Sequence, residues 1–255
     1  MGKTLELAKK QGLVKTRKIN NVLKAESEKK IDQKFAYFMI IDFEATCWEK
    51  KQNAPQSEVI EFPAVILNSK TGQIHDEYFH IYVQPTEEPY LSEFCRKLTG
   101  ITQEQVDNAA PLGTSLLMFN NWIKKFCPNF IFNAQSDKNC AVITWTDWDL
   151  KICLENECKR KNLNLPNCFK SWIDLKLIYK KFYNRPPQGL NGALQEMGLV
   201  FQGREHSGIC DAKNTAKLVA KMIQDGCILG LTKSLPNVKI DPKLAFDDQI
   251  KLVSN

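Results

Sequence analysis

The chain reads as one mixed α/β layered domain, a central sheet flanked by helices, on three observations. Residues 35–83 carry three strand-type runs separated by short loops, and after Pro89 helical and strand patterns alternate. The first run, Tyr37-Phe38-Met39-Ile40-Ile41, is apolar throughout, as expected of a central strand covered on both faces. A length of 255 residues with 43% hydrophobic and 25% charged residues suits one globular domain.

Taken in order, residues 1–34 form a basic N-terminal extension. They hold ten basic residues against four acidic ones, which accounts for the whole net charge of +6 and leaves the remainder neutral. A domain is expected over residues 35–235. Val59 to Leu67 reads as its second strand and His75 to Val83, after the Thr71-Gly72 turn, as its third; short loops favour antiparallel neighbours. Ser92 can cap a short helix through Leu98, and Thr102-Gln103-Glu104-Gln105 has capping-box spacing. Pro111 to Phe126 predicts a longer helix, with Phe130–Phe132 and Ala141–Trp145 as further strands. From Asp149 to Lys161, Leu150, Cys153, Leu154 and Cys158 fall on one helical face. Helices follow near Leu175–Tyr183, Leu190–Met197 (stopped by Gly198) and Asp211–Gln224, and residues 236–255 read as a loose C-terminal tail.

Several classes are excluded. No run approaches the ~20 apolar residues of a membrane span, and the basic N-terminus lacks the apolar core of a secretory signal. Nine cysteines, no Cys-x-x-Cys pair and only three histidines give a tetrahedral zinc site little support. The cysteines are expected reduced and mostly buried in an intracellular protein, cytoplasmic and/or nuclear.

The chemistry-bearing residues are acids. Asp42-x-Glu44 closes the most apolar strand, and side chains two apart on a strand share a face. Two carboxylates beside a buried run repel each other and are poorly hydrated unless a cation joins them; hard oxygen ligands favour Mg²⁺ or Mn²⁺. A strand end whose acids face water is the plain alternative. Trp145-Thr146-Asp147-Trp148-Asp149 opens one helix and His206-Ser207-Gly208-Ile209-Cys210-Asp211 heads another, where each acid also suits an ordinary helix start. Three basic clusters, Lys159-Arg160-Lys161, Lys180-Lys181 with Arg185, and the N-terminal extension, suit either solvated faces or phosphate contacts.

An Asp-x-Glu pair, a mid-chain Asp opening a helix and a late His-x4-Asp, in this order, resemble the DEDDh 3′→5′ exonuclease superfamily, as does the turn Leu98-Thr99-Gly100-Ile101-Thr102. Ile41-Asp42-Phe43-Glu44-Ala45-Thr46-Cys47-Trp48, Ile60-Glu61-Phe62-Pro63-Ala64, Leu91-Ser92-Glu93-Phe94-Cys95 and Asp225-Gly226-Cys227 are similar to its Eri-type branch of exoribonucleases; the resemblance spans about residues 36–232. It implies an RNase H-like fold. It makes Asp42, Glu44, Asp149 and Asp211 metal-binding carboxylates for two Mg²⁺ ions, replaceable by Mn²⁺, and His206 the general base. Asp149 rather than Asp147 fits the family's Trp-Asp-(Leu/Met) pattern. Relatives usually carry two adjacent acids where this chain has Cys210-Asp211, and Asp211 keeps the catalytic spacing.

The resemblance further implies that Phe94, Leu98 and Trp148 sandwich the 3′-terminal base, while backbone around Phe43, Ala45 and Thr46 contacts the terminal sugar. As core residues of a short helix, Phe94 and Leu98 would have a purely structural role. The expected activity is hydrolysis of RNA from its 3′ end to nucleoside 5′-monophosphates by a monomer with no membrane partner. DNA as substrate, and a catalytically inactive RNA-binding module, remain open.

Overall fold

β1 (Tyr37–Ile41) lies inside the sheet because alternate residues find an apolar layer on each side: Met39 and Ile41 face one, Phe38 and Ile40 the other. The computed structural model describes residues 32–50 and 54–247. The other strands are β2 (Glu44–Ala45), β3 (Val59–Asn68), β4 (Phe79–Gln84), β5 (Ala110–Pro111), β6 (Ile131–Phe132), β7 (Asn139–Thr144), β8 (Ser171–Asp174) and β9 (Lys233–Ser234). Among the described residues they form one nine-stranded sheet of order β5-β4-β3-β1-β7-β8-β9, with β2 on β3 and β6 on β7. As expected from the short loops, β1, β3 and β4 are antiparallel neighbours; β1, β7 and β8 run parallel.

The helices are α1 (Glu93–Thr99), α2 (Gln103–Asp107), α3 (Leu112–Phe126), α4 (Glu155–Arg160), α5 (Leu175–Phe182), α6 (Gly189–Glu196) and α7 (Gly208–Gln224). Their caps follow the sequence. Ser92 accepts from the Cys95 N–H, Thr102 and Gln105 form the reciprocal capping box, and Gly198 ends α6 at a φ of 70°. One layer packs Leu112, Phe119 and Trp122 of α3 under Phe62 and Met39, and the opposite layer packs α5, α6 and α7 against Phe38, Ile40 and Val65. Among the described residues no helix is long and apolar enough to cross a membrane.

Four differences from expectation have physical reasons. The third strand begins at Phe79 rather than His75, since the exposed pair Asp76-Glu77 interrupts it; His75 N–H still donates to the Ile66 carbonyl, 2.8 Å away. Strand β8 escapes the pattern because four residues hold no readable period, and its pairing with β7 comes from distant chain. The helix expected from Asp149 opens as a wider π-helical turn, Trp148–Leu154, before α4; Leu150, Cys153, Leu154 and Cys158 are all buried, so the predicted face is the packed one.

The fourth concerns the domain ends. Most of the basic extension and residues 248–255 lie outside the described residues. Gln33, however, bonds Leu229 N–H and the Cys227 carbonyl, and Asn139 donates to the Lys34 carbonyl. At the other end Leu244 is buried and its carbonyl accepts from the Leu231 N–H, so residues 244–246 pack on the sheet layer instead of trailing.

Candidate active site

Asp42 leaves the end of β1, and Glu44 follows on β2, directly opposite Glu61 of β3. The π-helical turn brings Asp149 to the same place: its Oδ1 accepts the Phe43 N–H at 2.9 Å, joining that turn to the end of β1. Asp211 arrives in the first turn of α7, where Ser207 rather than Asp211 is the N-cap residue. Its carboxylate accepts the main-chain N–H of His206. Glu44, His206 and Asp211 each bring one ligand-type atom within 4.8 Å of the others. The four acids and the histidine singled out by their order in the chain are therefore neighbours in space, and residues 42–44, 149 and 206–211 converge at the end of the central strand β1.

Burial makes this an uncomfortable cluster for anions. It pushes the Asp42 carboxyl well above the usual range, reinforced by Asp149, Asp211, Glu44 and Glu61, all acidic. Glu44 is raised to about 9 by burial and by Asp211, Glu61 and Asp149. Asp149 and Asp211 are each raised to about 7, again chiefly by burial, with the N–H bonds from Phe43 and His206 acting the other way. An all-oxygen donor set whose carboxyls are raised chiefly by burial fits hard divalent cations, which would replace the protons. His206 is exposed and holds a left-handed backbone (φ 60°), sparsely populated by residues other than glycine and concentrated at functional sites.

The residues expected to meet a base lie partly in solvent. Phe94 is 38% and Trp148 39% exposed, while Cys95 beside Phe94 is buried, so Phe94 is not a core residue of α1. Leu98 is half-buried one turn along. Arg204 donates to the carbonyls of Lys97 (2.6 Å) and Leu98 (3.4 Å), tying the segment before His206 to α1. The expected sugar contacts divide. The Phe43 side chain is in the core, edge-on to Phe62 with centroids 4.9 Å apart, and its N–H is engaged by Asp149. Thr46 is buried too; its N–H donates to the Glu58 carbonyl and its Oγ1 accepts the Glu58 N–H. These two N–H groups are not free for a ligand, and Ala45 is buried between them.

Two basic clusters change meaning. Lys159 pairs with Glu155, Arg160 with Glu87, and Lys161 with both Glu58 and Glu157; Arg185 pairs with Glu196. These side chains serve the fold, which removes the support for phosphate contacts by the 159–161 run. Glu61 is the site residue that sequence reasoning missed. The signal was an acid inside the otherwise apolar stretch Val59-Ile60-Glu61-Phe62.

A family model described as "Exonuclease" matches residues 39–219. The chain is 48% identical over 253 residues to ERI1 exoribonuclease 2 of Xenopus laevis, covering 95% of this chain and 36% of that protein, so it spans about a third of that relative's length. It is 44% identical over 225 residues to the 3'-5' exonuclease Snipper of Drosophila melanogaster, covering 84% of this chain and 79% of the insect protein. Among solved structures, the nuclease domain of 3'hExo, a DEDDh family member bound to rAMP, superposes with a TM-score of 0.73 at 35% identity, over 80% of this chain and 100% of that one. With the order of the acids, their convergence at the end of the central strand and these matches in agreement, the chain belongs to the DEDDh exonuclease family, in its Eri-type branch.

Proposed function

We propose that this chain is a metal-dependent 3′→5′ exoribonuclease that hydrolyses RNA from its 3′ end and releases nucleoside 5′-monophosphates. The observation that carries the reading is the convergence of Asp42, Glu44, Asp149 and Asp211 beside an exposed His206, with all four carboxyls raised by burial and those of Asp42, Glu44 and Asp211 also by neighbouring acids. These four carboxylates would hold two Mg²⁺ ions, with Mn²⁺ able to substitute. Bound divalent metal supplies the positive charge that acidifies water and neutralises the reacting phosphate.

The chain's own groups do the rest. His206, exposed beside Glu44 and Asp211, would accept a proton from the attacking water. Asp149, pinned by the Phe43 N–H, keeps its carboxylate aimed at the end of β1. Exposed Phe94 and Trp148, with Leu98, offer apolar faces on which a terminal base stacks with little sequence preference. Backbone around Phe43, Ala45 and Thr46 would contact the terminal sugar through groups other than the Phe43 and Thr46 N–H, which are engaged within the chain. One structural relative is a 3′-exonuclease in 3′-end-specific recognition of a histone mRNA stem-loop, which supports RNA as the substrate class.

The test is degradation of 3′-labelled and 5′-labelled RNA in Mg²⁺, with matched DNA and with EDTA. Label released first from the 3′ end as mononucleotide is expected, and EDTA should stop it. Mononucleotides released first from the 5′ end would reject the polarity. Turnover of DNA exceeding that of RNA would reject the substrate class.

A further inference from the structure

Glu61 is a fifth carboxylate beside this cluster, unused by the reaction above, yet it is only 1% exposed. An acid so buried needs partners, and it has three. Its Oε2 accepts the Gly208 N–H at 2.9 Å, its Oε1 accepts the Ile209 N–H at 3.1 Å, and the same Oε1 lies 2.7 Å from His80 Nε2. Gly208 and Ile209 open α7, whose first N–H groups have no partner within the helix and whose N-terminal dipole favours an anion. The approach is close. A Cβ on Gly208 would sit 2.5 Å from the Asp42 carbonyl oxygen and 3.3 Å from Glu61 Cδ, so this first turn is pressed between the end of β1 and Glu61. His206 lies two residues before Gly208 and Asp211 three after it.

We propose that Glu61, backed by His80, is a positioning residue that docks the first turn of α7 on the sheet and thereby sets His206 and Asp211 against Asp42 and Glu44. Both Glu61 oxygens already accept donors from this chain, which separates it from the four carboxylates assigned to metal. His80 sits on neighbouring β4 across the sheet, one strand beyond Glu61, and holds Oε1 toward the helix. The inference rests on the proposed exonuclease reading.

The experiment compares Glu61→Ala, Glu61→Gln, His80→Leu and His80→Gln with wild type by kcat and KM on RNA, by Mn²⁺ binding to the RNA-free protein followed by electron paramagnetic resonance, and by circular dichroism. A folded Glu61→Ala should lose about 10–100-fold in kcat and bind Mn²⁺ more weakly by a similar factor, as for other groups that orient ligands. Its KM for RNA should move by less than about threefold, because the stacking residues are untouched. Glu61→Gln keeps an acceptor oxygen and should fall between Glu61→Ala and wild type. His80→Leu should lose less than Glu61→Ala, and His80→Gln, which keeps a donor, should recover most of that loss. Folded Glu61→Ala with wild-type kcat and Mn²⁺ affinity would overturn the tether, and Glu61→Gln as damaged as Glu61→Ala would make Glu61 a ligand instead. If Glu61→Ala does not fold, Glu61→Gln and His80→Leu that both match wild type in kcat and Mn²⁺ binding would overturn it. A wild-type protein without 3′ hydrolysis would instead refute the exonuclease reading, leaving the Mn²⁺ comparison to judge the tether.

Discussion

Two buried groups of acids lie within this one domain, and they are neutralised in opposite ways. Glu58 and Glu157 are both fully buried, and Lys161 Nζ stands 2.6 Å from each. Glu58 also accepts the N–H groups of Thr86, Glu87 and Glu88, and Glu157 that of Val59. Burial alone would raise the Glu58 carboxyl, but the Lys161 bond and those N–H groups bring it below its ordinary value. Glu157 stays raised by burial, with Lys161 opposing. At the other group, Asp42, Glu44, Asp149 and Asp211 are raised, and the charges acting on Asp42 are acidic. The first cluster has its cation on Lys161, the residue that ends α4, and locks β3 to the chain before α1. The second leaves its charge for something from outside to complete. Burial is common to both; the supply of the cation separates structure from chemistry.

The largest effect should come from breaking the second cluster. Asp42→Ala or Asp211→Ala should lower kcat more than about 10³-fold, since several kcal/mol of charge stabilisation goes with the carboxylate. The circular dichroism spectrum should stay unchanged, because no buried partner is stranded. Near-wild-type turnover in Mg²⁺ would show that the site lies elsewhere. The converse change, Lys161→Met, should cost about 3 kcal/mol in a urea titration by leaving two buried acids without their cation. Activity of the folded protein at low temperature should be spared; a parallel loss of kcat would mean that the two clusters are not separate.

A smaller effect is expected at the stacking face. Trp148→Ala should raise KM for RNA by the equivalent of about 1–3 kcal/mol with less change in kcat. An unchanged KM would remove Trp148 from the substrate path. Finally, pH should distinguish the clusters through metal. Asp149 and Asp211 sit at about 7 when folded, above their unfolded value of roughly 3.9. Between those values the folded state binds more protons than the unfolded one. Their contribution to metal-free stability is therefore present at low pH and is lost as pH rises toward 7. Added Mg²⁺ takes the place of those protons, so the rise in Tm it causes should be larger at pH 8 than at pH 6. Equal shifts at both pH values would argue that metal binding displaces no protons.

Much of this was legible because the local rules and the tertiary fold agree. The apolar run at 37–41, Ser92, the Thr102 capping box and the Leu150-Cys153-Leu154-Cys158 face each specify local structure through short-range chemistry. The acids at 42, 44, 149 and 211 were visible as an ordered pattern, and their meeting is what the sheet order adds. Other features have no short-range signature. The basic run 159–161 looks the same in sequence whether it faces phosphate or, as here, carboxylates on distant chain at 58 and 87. Phe43 and Thr46 sit where the family pattern puts substrate contacts, yet their N–H groups are occupied by Asp149 and Glu58, more than ten residues away in each case.

By itself, then, the sequence determined the alternation of strands and helices, the identity of the acids and the presence of a lone histidine near the last helix. These are matters of residue type and spacing. Only the tertiary structure decided which acids share a charge problem and which have it solved internally. It also showed that a glycine at 208 is needed for α7 to approach Asp42 closely, and that Glu61 and His80 meet that helix. The physical reason is range: capping and periodicity act over a few residues, whereas desolvation and charge repulsion are set by whatever distant segments the sheet order brings within a few ångströms.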